Sequence, residues 1–431
     1  MVTPALLIVL LFVLLAGGVW IAITLGIVAW AGVALFSNTR PDINLVTSYW
    51  NTYESLSLAS LPMFIWMGEI LYRTRLAEQM FAGLAPWLDR LPGRLLHVNV
   101  LGCGIFGAVS GSSAATCATI AKIALPELSR RGYDERMSLG ALCGASTLGL
   151  LIPPSIAMIV YAVAADVSII RMFIAGILPG VMLLFLFSGY IVVWALLNPH
   201  KTPKASLTMS LGQRIKASGN LIPVLLLIAF VFSAMVSGFA TANEASAFGV
   251  LGALCIAGFG GSLSRQSFVD SLSGAVRMSC MIMFILGAAS FLTVAMGFTG
   301  IPMALSKWVV SLELSPYALI AALTVVYLVM GCALDGVSMI VLTTAVVLPM
   351  VQAAGFDPIW FGVYIIIMIE LSQVTPPVGF NLFVLQGMTG QRIMTVARAS
   401  IPFFLLMIVA TMLLVAFPSI AIWLPQAVMG R

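Results

Sequence analysis

Long apolar runs separated by short polar loops account for nearly the whole chain. Most of these runs approach the length of about 20 residues that an α-helix needs to cross a bilayer. Helices are predicted at 4–16, 19–36, 55–72, 171–197, 221–238, 242–260, 278–298 and 400–424. Amphipathic stretches at 74–96 and 300–315 are predicted to lie along opposite membrane faces. The pattern predicts an all-α polytopic membrane protein with about ten spans.

Two groups of helix-breaking residues interrupt this pattern with the same spacing. Each group has a polar turn, then a single proline, then a proline pair. They lie at 111–113, Pro126 and Pro153-Pro154 in the first half, and at Asp335-Gly336, Pro349 and Pro376-Pro377 in the second. The step from the single proline to the pair is 27 residues in both halves (126 to 153 and 349 to 376). Paired interruptions at matching positions indicate the binding site of a secondary transporter.

The first interruption lies in a segment, 98–128, that has basic loops on both sides and so must leave and return to one membrane face. Two legs of about 15 residues reach only about 22 Å each, which is too short for two full spans. A re-entrant hairpin with 110–113 at its tip is therefore predicted. The helix at 138–163 that follows is predicted to break before Pro153.

The second half repeats this plan. A hairpin is predicted at 316–351 with 331–336 at its tip, and a helix at 358–388 is predicted to break before Pro376. Matched breaks of this kind are tolerated inside a membrane only where they line a cavity or are buried in protein.

The distribution of Lys and Arg sets the predicted orientation. Basic residues cluster in alternate loops, which the positive-inside rule places in the cytoplasm. The halves 1–197 and 221–431 then form an inverted repeat joined by a cytoplasmic linker at 198–220, with both termini periplasmic. One alternative stays open: 4–36 can be drawn as a single kinked helix, which would place the N-terminus in the cytoplasm.

Composition excludes most other classes of protein. The chain is 61% hydrophobic and only 8% charged, whereas a soluble protein carries about 25% charged residues. The first 36 residues lack a basic n-region and a clear cleavage site, so they are interpreted as mature helices. The six cysteines and two histidines show no metal-ligand spacing, and no paired acid and base indicates an enzyme. The net charge of +5 is assigned to cytoplasmic loops and implies no nucleic-acid partner.

The breaks themselves suggest a chemistry. A proline pair unwinds a helix and frees backbone carbonyls, and these need partners inside a membrane. Sodium, a hard cation held by oxygen atoms, is one suitable partner. Two cages are predicted, one from Ser110, Ser112 and Ser113 facing 150–154, and one from Asp335, Gly336 and Ser338 facing Gln373, Thr375 and Pro376. The half-helix N-termini after each break would suit an anionic substrate. The alternative is that Ser and Gly only allow close helix packing and that the prolines only kink.

Ionisable residues within the apolar segments are functional candidates. Asp335 is the strongest, as a cation ligand or as a cap that binds its own backbone N–H groups. Glu370 is either a neighbour of the coupling ion or a paired structural acid. Glu244 opens a helix and is interpreted as a partner of its dipole, whereas Lys122 is predicted to extend to the cytoplasmic surface.

Three segments make the chain recognisable: 107–116 (GAVSGSSAAT), 149–155 (GLLIPPS) and 238–245 (GFATANEA). They resemble the large membrane subunit, DctM-like, of the tripartite ATP-independent periplasmic (TRAP) transporters, although Asn243 stands where Thr is more usual. The resemblance implies sodium-coupled uptake of an organic acid across the bacterial inner membrane. It also implies two partners, a small four-helix membrane subunit and a periplasmic substrate-binding protein.

The resemblance further implies an elevator mechanism and a set of site residues. The transport domain would comprise 98–163 and 316–388, and the scaffold 4–72, 171–197, 221–298 and 400–424. The first sodium site would comprise Ser110, Ser112, Gly144, Thr147, Leu150, Ile152 and Pro153. The second sodium site would comprise Asp335, Gly336, Gln373, Thr375 and Pro376. Substrate contacts are expected from Ser113, Pro154, Ser155, Ser338, Pro377 and Asn381.

Other functions remain possible at this stage. A self-sufficient ion-coupled symporter or antiporter with the same hairpins would need no binding protein. A channel would predict flux without sodium coupling, and matched broken helices give it little support. The sequence does not identify the organic acid, since dicarboxylates, sialic acids, keto acids and sulfonates all pass through similar subunits.

Overall fold

The computed structural model describes residues 2–74, 76–203, 210–219, 221–300, 315–331, 334–376 and 379–430, and all regular secondary structure in them is helical. The helices of the first half are Val2–Ala16, Ile21–Phe36, Pro41–Glu54, Ser60–Tyr72, Leu76–Leu88, Leu95–Ser110, Ser113–Arg130, Glu135–Ser146, Leu148–Leu151, Ile156–Ala164 and Ile169–Leu197. Those of the second half are Leu211–Ser218, Ile222–Val236, Ala242–Phe259, Arg265–Thr299, Pro316–Met330, Gly336–Ala353, Pro358–Gln373, Phe380–Thr389, Ile393–Ala416 and Ser419–Met429. Short 3₁₀ turns lie at Leu56–Ala59 and Pro199–Lys201. The predicted arm at 300–315 lies almost wholly outside the described residues.

The apolar helices agree with the predicted class of polytopic membrane protein. Within the described residues, five helices are long and apolar enough to cross a membrane, and the number is up to seven if each of two bent pairs is counted as one span. One bent pair joins Glu135–Leu151 to Ile156–Ala164 at 43°. That bend lies at the break predicted before Pro153.

The N-terminal segment forms two helices and not one kinked helix. The turn between them contains Gly18, whose φ of +75° falls in the left-handed region that glycine adopts without strain. The two helices fold back on each other, since the side chain of Leu7 packs at Gly32.

Three segments differ from the predicted elements. Pro41–Glu54 lies between the helices predicted at 19–36 and 55–72 and is itself a helix. It packs on Arg265–Thr299, where Tyr53 donates a hydrogen bond of 3.1 Å to the carbonyl of Met283. Arg265–Thr299 begins 13 residues earlier than predicted (278 − 265), because Ser264 caps its N-terminus in a reciprocal pair with Ser267. The closing segment predicted at 400–424 is two helices, since the first ends at Ala416, next to Pro418.

Both hairpins and both broken helices are present. The first hairpin is Leu95–Ser110 with Ser113–Arg130, and the second is Pro316–Met330 with Gly336–Ala353. The first broken helix is Glu135–Leu151 with Ile156–Ala164, and the second is Pro358–Gln373 with Phe380–Thr389. These four names are used below.

The two halves exchange partners. The returning leg of the first hairpin, Ser113–Arg130, packs against Phe380–Thr389, which follows the second break. Correspondingly, the returning leg of the second hairpin, Gly336–Ala353, packs against Ile156–Ala164, which follows the first break. The two breaks are thereby brought side by side, and Leu148–Leu151 contacts Pro358–Gln373.

Packing also separates two groups of helices. Ile21–Phe36, Ser60–Tyr72, Ala242–Phe259 and Arg265–Thr299 pack mainly on one another. Ile169–Leu197, predicted as scaffold, packs most closely on Ser419–Met429 and also on both broken helices and the first hairpin. Ile393–Ala416, also predicted as scaffold, packs mainly on the first broken helix. A Cβ placed on Gly144 of the first broken helix would overlap the side chain of Phe403 in Ile393–Ala416. The division into scaffold and transport domain stays a prediction.

Candidate ion and substrate site at the two helix breaks

The tip of the first hairpin gathers several oxygen atoms. The hydroxyls of Ser110 and Thr116 lie 2.7 Å apart, and Ser110 donates to the carbonyl of Ser112 at 3.2 Å. A Cβ placed on Gly149 would lie 3.0 Å from the Thr116 hydroxyl and 3.2 Å from the Ser112 carbonyl. These oxygen atoms therefore face the last turn before the first break. The hydroxyl of Ser112 points elsewhere and caps the returning leg by accepting from the N–H of Ala115.

Thr116 is absent from the predicted site. It lies four residues after Ser112, one turn along the returning leg, so it shares a helix face with the tip. The helical period, applied to the motif at 107–116, would have identified it.

The tip also rests on the far side of the first break. A Cβ placed on Gly111 would lie 2.9 Å from Cγ1 of Ile156, the first residue of the helix that follows the break. Ser155 donates to the carbonyl of Leu150 at 2.5 Å, across the Pro153-Pro154 pair, which has a cis peptide bond. The side chain of Ile152 lies between Gly104 and Gly180. Ser110, Ser112, Leu150, Ile152 and Pro153 are thus neighbours at one break.

Two predicted members of the first sodium site face another way. Gly144 packs on Phe403, and the hydroxyl of Thr147 donates to the carbonyl of Gly144 at 2.5 Å and contacts the sulfur of Met407 at 3.7 Å. The structure therefore directs neither the Cα face of Gly144 nor the hydroxyl of Thr147 toward the hairpin tip.

The tip of the second hairpin is built differently. The carboxylate of Asp335 accepts from the N–H groups of Val337 and Ser338, at 3.1 and 3.3 Å, and from the hydroxyl of Ser338. This is the capping arrangement considered above as the alternative to a ligand role. All the described hydrogen bonds of Asp335 lie within its own turn, so its carboxylate is not hydrogen-bonded to Gln373 or Thr375.

Glycines nevertheless bring this tip against the second broken helix. A Cβ placed on Gly331 would overlap the side chain of Ser372, and one on Gly336 would lie 2.6 Å from Ile369 and 3.8 Å from Leu150. Gly336 therefore lies close to both broken helices. Cys332 and Ala333, also in the predicted tip, lie outside the described residues.

The second break is held by local hydrogen bonds. Thr375 donates its hydroxyl to the carbonyl of Leu371 at 2.6 Å, and the Thr375 carbonyl accepts from the N–H of Gly379 at 3.0 Å. Gln373 is buried, and its carbonyl lies 2.6 Å from a Cβ placed on Gly379. Pro376 is exposed, and Pro377 lies outside the described residues.

The predicted substrate residues are mostly buried and hydrogen-bonded to the protein. Asn381 donates to the hydroxyls of Ser113 and Ser146 at 2.9 and 3.0 Å, and Ser113 donates to the carbonyl of Ser146 at 3.1 Å. Ser155 and Ser338 are buried and bonded as described above, and Pro154 is buried. Glu370, buried beside them, accepts from the N–H of Leu150 at 3.1 Å.

A cavity of about 1600 Å³ reaches the second tip. Asp335 and Ser338 lie on one side, and Arg277 of Arg265–Thr299 lies among its other lining residues. Most of the remaining lining is apolar, including Phe12, Trp20 and Val329. In the described residues there is no cluster of three or more His, Cys, Asp or Glu side chains able to hold a metal ion.

Comparison of the chain with known proteins identifies its family. Residues 8–420 match the model of the tripartite ATP-independent periplasmic transporter, DctM component. The chain is 31% identical over 406 residues to the C4-dicarboxylate TRAP transporter large permease protein DctM of Pseudomonas aeruginosa, covering 94% of each chain. It is 30% identical over 371 residues to the ectoine TRAP transporter large permease protein TeaC of Halomonas elongata, covering 85% of this chain and 86% of that one.

A solved structure supports the fold. The YdaH transporter of Alcanivorax borkumensis superposes with a TM-score of 0.65 at 13% identity, over 97% of this chain and 99% of that one. At this level of identity the likeness concerns the fold alone. The family match over nearly the whole chain shows more: this protein belongs to the DctM component family of the tripartite ATP-independent periplasmic transporters, as a large permease subunit and not an enzyme.

Proposed function

We propose that this chain is the permease subunit of a sodium-coupled importer of an organic acid in the bacterial inner membrane. The observation that carries the proposal is the position of both hairpin tips, each packed by glycines against a broken helix. Broken helices of this kind expose carbonyls and half-helix termini that suit a cation and an anion respectively. The named relatives transport C4-dicarboxylates and ectoine, and both ligands carry a carboxylate group.

Two sodium sites are proposed. At the first, Ser110, the carbonyl of Ser112 and the carbonyls near Leu150 and Ile152 would hold the ion, with Thr116 as an added hydroxyl. At the second, the carboxylate of Asp335 would act with carbonyls near Gln373 and Thr375. The inward sodium gradient would supply the driving force, and these residues would supply oxygen ligands for the ion in a dry environment.

An elevator motion is proposed for the transport step. The moving unit would contain both hairpins and both broken helices, and the packing described above adds Ile169–Leu197 and Ile393–Ala416 to it. The mutual packing of Ile21–Phe36, Ser60–Tyr72, Ala242–Phe259 and Arg265–Thr299 suits a scaffold. Membership of a tripartite family supports a small membrane subunit and a periplasmic binding protein as partners.

Reconstitution into proteoliposomes tests these proposals together. Uptake of a radiolabelled C4-dicarboxylate is expected only with an inward sodium gradient, the small subunit and the binding protein. Other organic acids, including ectoine, are assayed in parallel to identify the substrate. Uptake of an organic acid by the large subunit alone would instead support a self-sufficient symporter or antiporter. Uptake that is unchanged when choline replaces sodium would exclude the sodium coupling.

A further inference from the structure

A buried polar cluster lies between the two breaks. It contains Glu370 and Asn381 from the two sides of the second break, Ser113 from the first hairpin and Ser146 from the first broken helix. Their exposures are 1%, 0%, 3% and 0%. Ser113 connects the members, since it accepts from Asn381 and lies beside the carboxylate of Glu370. The cluster includes Ser113 of the first tip but none of the oxygen atoms of Ser110, Ser112 and Thr116 that are gathered there.

Two oxygen atoms in this cluster have no hydrogen-bond donor. Glu370 uses Oε1 to accept from the N–H of Leu150, but its Oε2 is buried without a partner. Asn381 uses its amide nitrogen twice, but its Oδ1 is also buried without a partner. A buried acceptor left without a donor costs about 1–3 kcal/mol, and more if it is charged.

The orientation of the Asn381 amide follows from its neighbours. The Ser146 hydroxyl donates its one proton to the carbonyl of Cys143 at 2.8 Å, and the Ser113 hydroxyl donates to the carbonyl of Ser146. Both hydroxyls can then only accept from Asn381, so the NH₂ group must face them. Oδ1 is left on the other side of the amide, without a donor.

Glu370 also has no cationic partner among the described residues. The five ion pairs found in the described residues all involve other carboxylates, and each has side chains that are at least 20% exposed. A buried carboxylate without a cation is strongly unfavourable, and within a membrane protein it marks a functional position. The one N–H group that Glu370 binds, that of Leu150, would stabilise such a charge only in part and would not neutralise it.

We propose that Glu370 and Asn381 bind a third monovalent cation, sodium, between the two breaks. The unpartnered Oε2 and Oδ1 would supply a charged and a neutral ligand of the kind that hard cations take. The inference rests on the proposed sodium coupling and adds to it. Because Glu370 also bonds Leu150 of the other half, an ion at this position would stabilise the contact between the two broken helices.

The test uses the full chain purified with its small subunit, with NaCl as the probe. Thermal unfolding is followed while NaCl replaces choline chloride at constant total salt, and bound ²²Na⁺ is counted at saturation. Glu370→Gln keeps the shape but removes the charge. We expect this variant to bind one sodium ion fewer than the wild type. The NaCl concentration that gives half of its remaining stabilisation should change by less than about threefold. Glu69→Gln, at an acid whose side chain is 24% exposed and paired with Arg73, is the matched control and should match the wild type.

Each result has a defined meaning. If Glu370→Gln binds as many sodium ions as the wild type, the proposal is overturned, since a neutral carboxamide would then replace Glu370 without loss. If that variant does not fold, Asn381→Ala is the deciding variant, because it retains the carboxylate. We expect its affinity for the third sodium ion to be at least about tenfold lower than that of the wild type. An unchanged affinity for the third sodium ion in Asn381→Ala would overturn the proposal. A wild type with no sodium response would instead refute the sodium coupling under "Proposed function".

Discussion

The two hairpin tips have equivalent positions but different chemistry. At the first tip, neutral oxygens from Ser110, Ser112 and Thr116 converge on the break at Gly149. At the second, a full negative charge on Asp335 is held by hydrogen bonds within its own turn and borders a cavity of about 1600 Å³. A repeated fold can therefore place a group of neutral oxygen atoms on one side and an acidic residue bonded only within its own turn on the other.

The largest effect is expected where the first hairpin meets its break. A Cβ placed on Gly107 would overlap Cα of Gly149, a backbone atom that cannot move aside as a flexible side chain could. Gly107→Ala should separate the tip from the break, lower stability by about 1–3 kcal/mol and abolish the sodium response of the first site. Thermal unfolding with and without NaCl measures both effects.

Gly102→Ala is the control for this change, because a Cβ there, on the same helix, meets no atom within 4 Å. Equal behaviour of the two variants would show that the close approach of tip and break does not matter for the sodium site.

The next effect concerns the charge that only the second tip has. Asp335→Asn should raise the sodium concentration for half-maximal uptake at least about tenfold, a loss of about 1.4 kcal/mol. Stability should change little, since Asn caps a helix about as well as Asp. Sodium titration of uptake in proteoliposomes measures this.

Asp357→Asn provides a matched comparison for Asp335→Asn. Asp357 caps Pro358–Gln373 in the same manner, accepting from the N–H groups of Ile359 and Trp360 at 2.7 and 3.2 Å. If both substitutions affect the sodium response equally, or neither does, Asp335 is a cap and nothing more.

A smaller difference in sodium affinity is expected between variants that remove the hydroxyl of Thr116 and variants that remove the hydroxyl of Ser112. Thr116→Val removes a hydroxyl that lies 2.7 Å from Ser110, and should weaken the sodium response by several-fold. Ser112→Ala removes only a helix cap, because the Ser112 oxygen that faces the break is its carbonyl; it should cost about 1 kcal/mol of stability and leave sodium affinity nearly unchanged. The reverse order in a sodium titration of the two variants would contradict this assignment of the oxygens.

The hairpins and breaks could be predicted because their signals are local and strong. Proline pairs and Gly-Ser or Asp-Gly turns restrict the backbone whatever surrounds them. The helix at Pro41–Glu54 could not be predicted in this way, since its chain is polar and its packing depends on Tyr49 lying against Gly287 of a distant helix.

The candidate site was predicted less completely than the fold. Spacing identified Ser110, Ser112, Leu150 and Asp335, which lie at the tips and breaks. It did not show that Thr147 faces Met407, nor that Asn381 binds Ser113 and Ser146, which precede it by 268 and 235 residues. Such pairings are set by the exchange of partners between halves, and a single sequence gives no local signal for them.

That exchange also constrains how the protein is made. The face of Ser113–Arg130 that packs on Phe380–Thr389 has no partner until about 260 further residues have been synthesised (130 to 389). At about 5–20 residues per second, the first hairpin waits roughly 13–50 seconds in the membrane before its packing can be completed. The two halves thus cannot mature one after the other, and the ribosome must deliver nearly the whole chain before either break is enclosed.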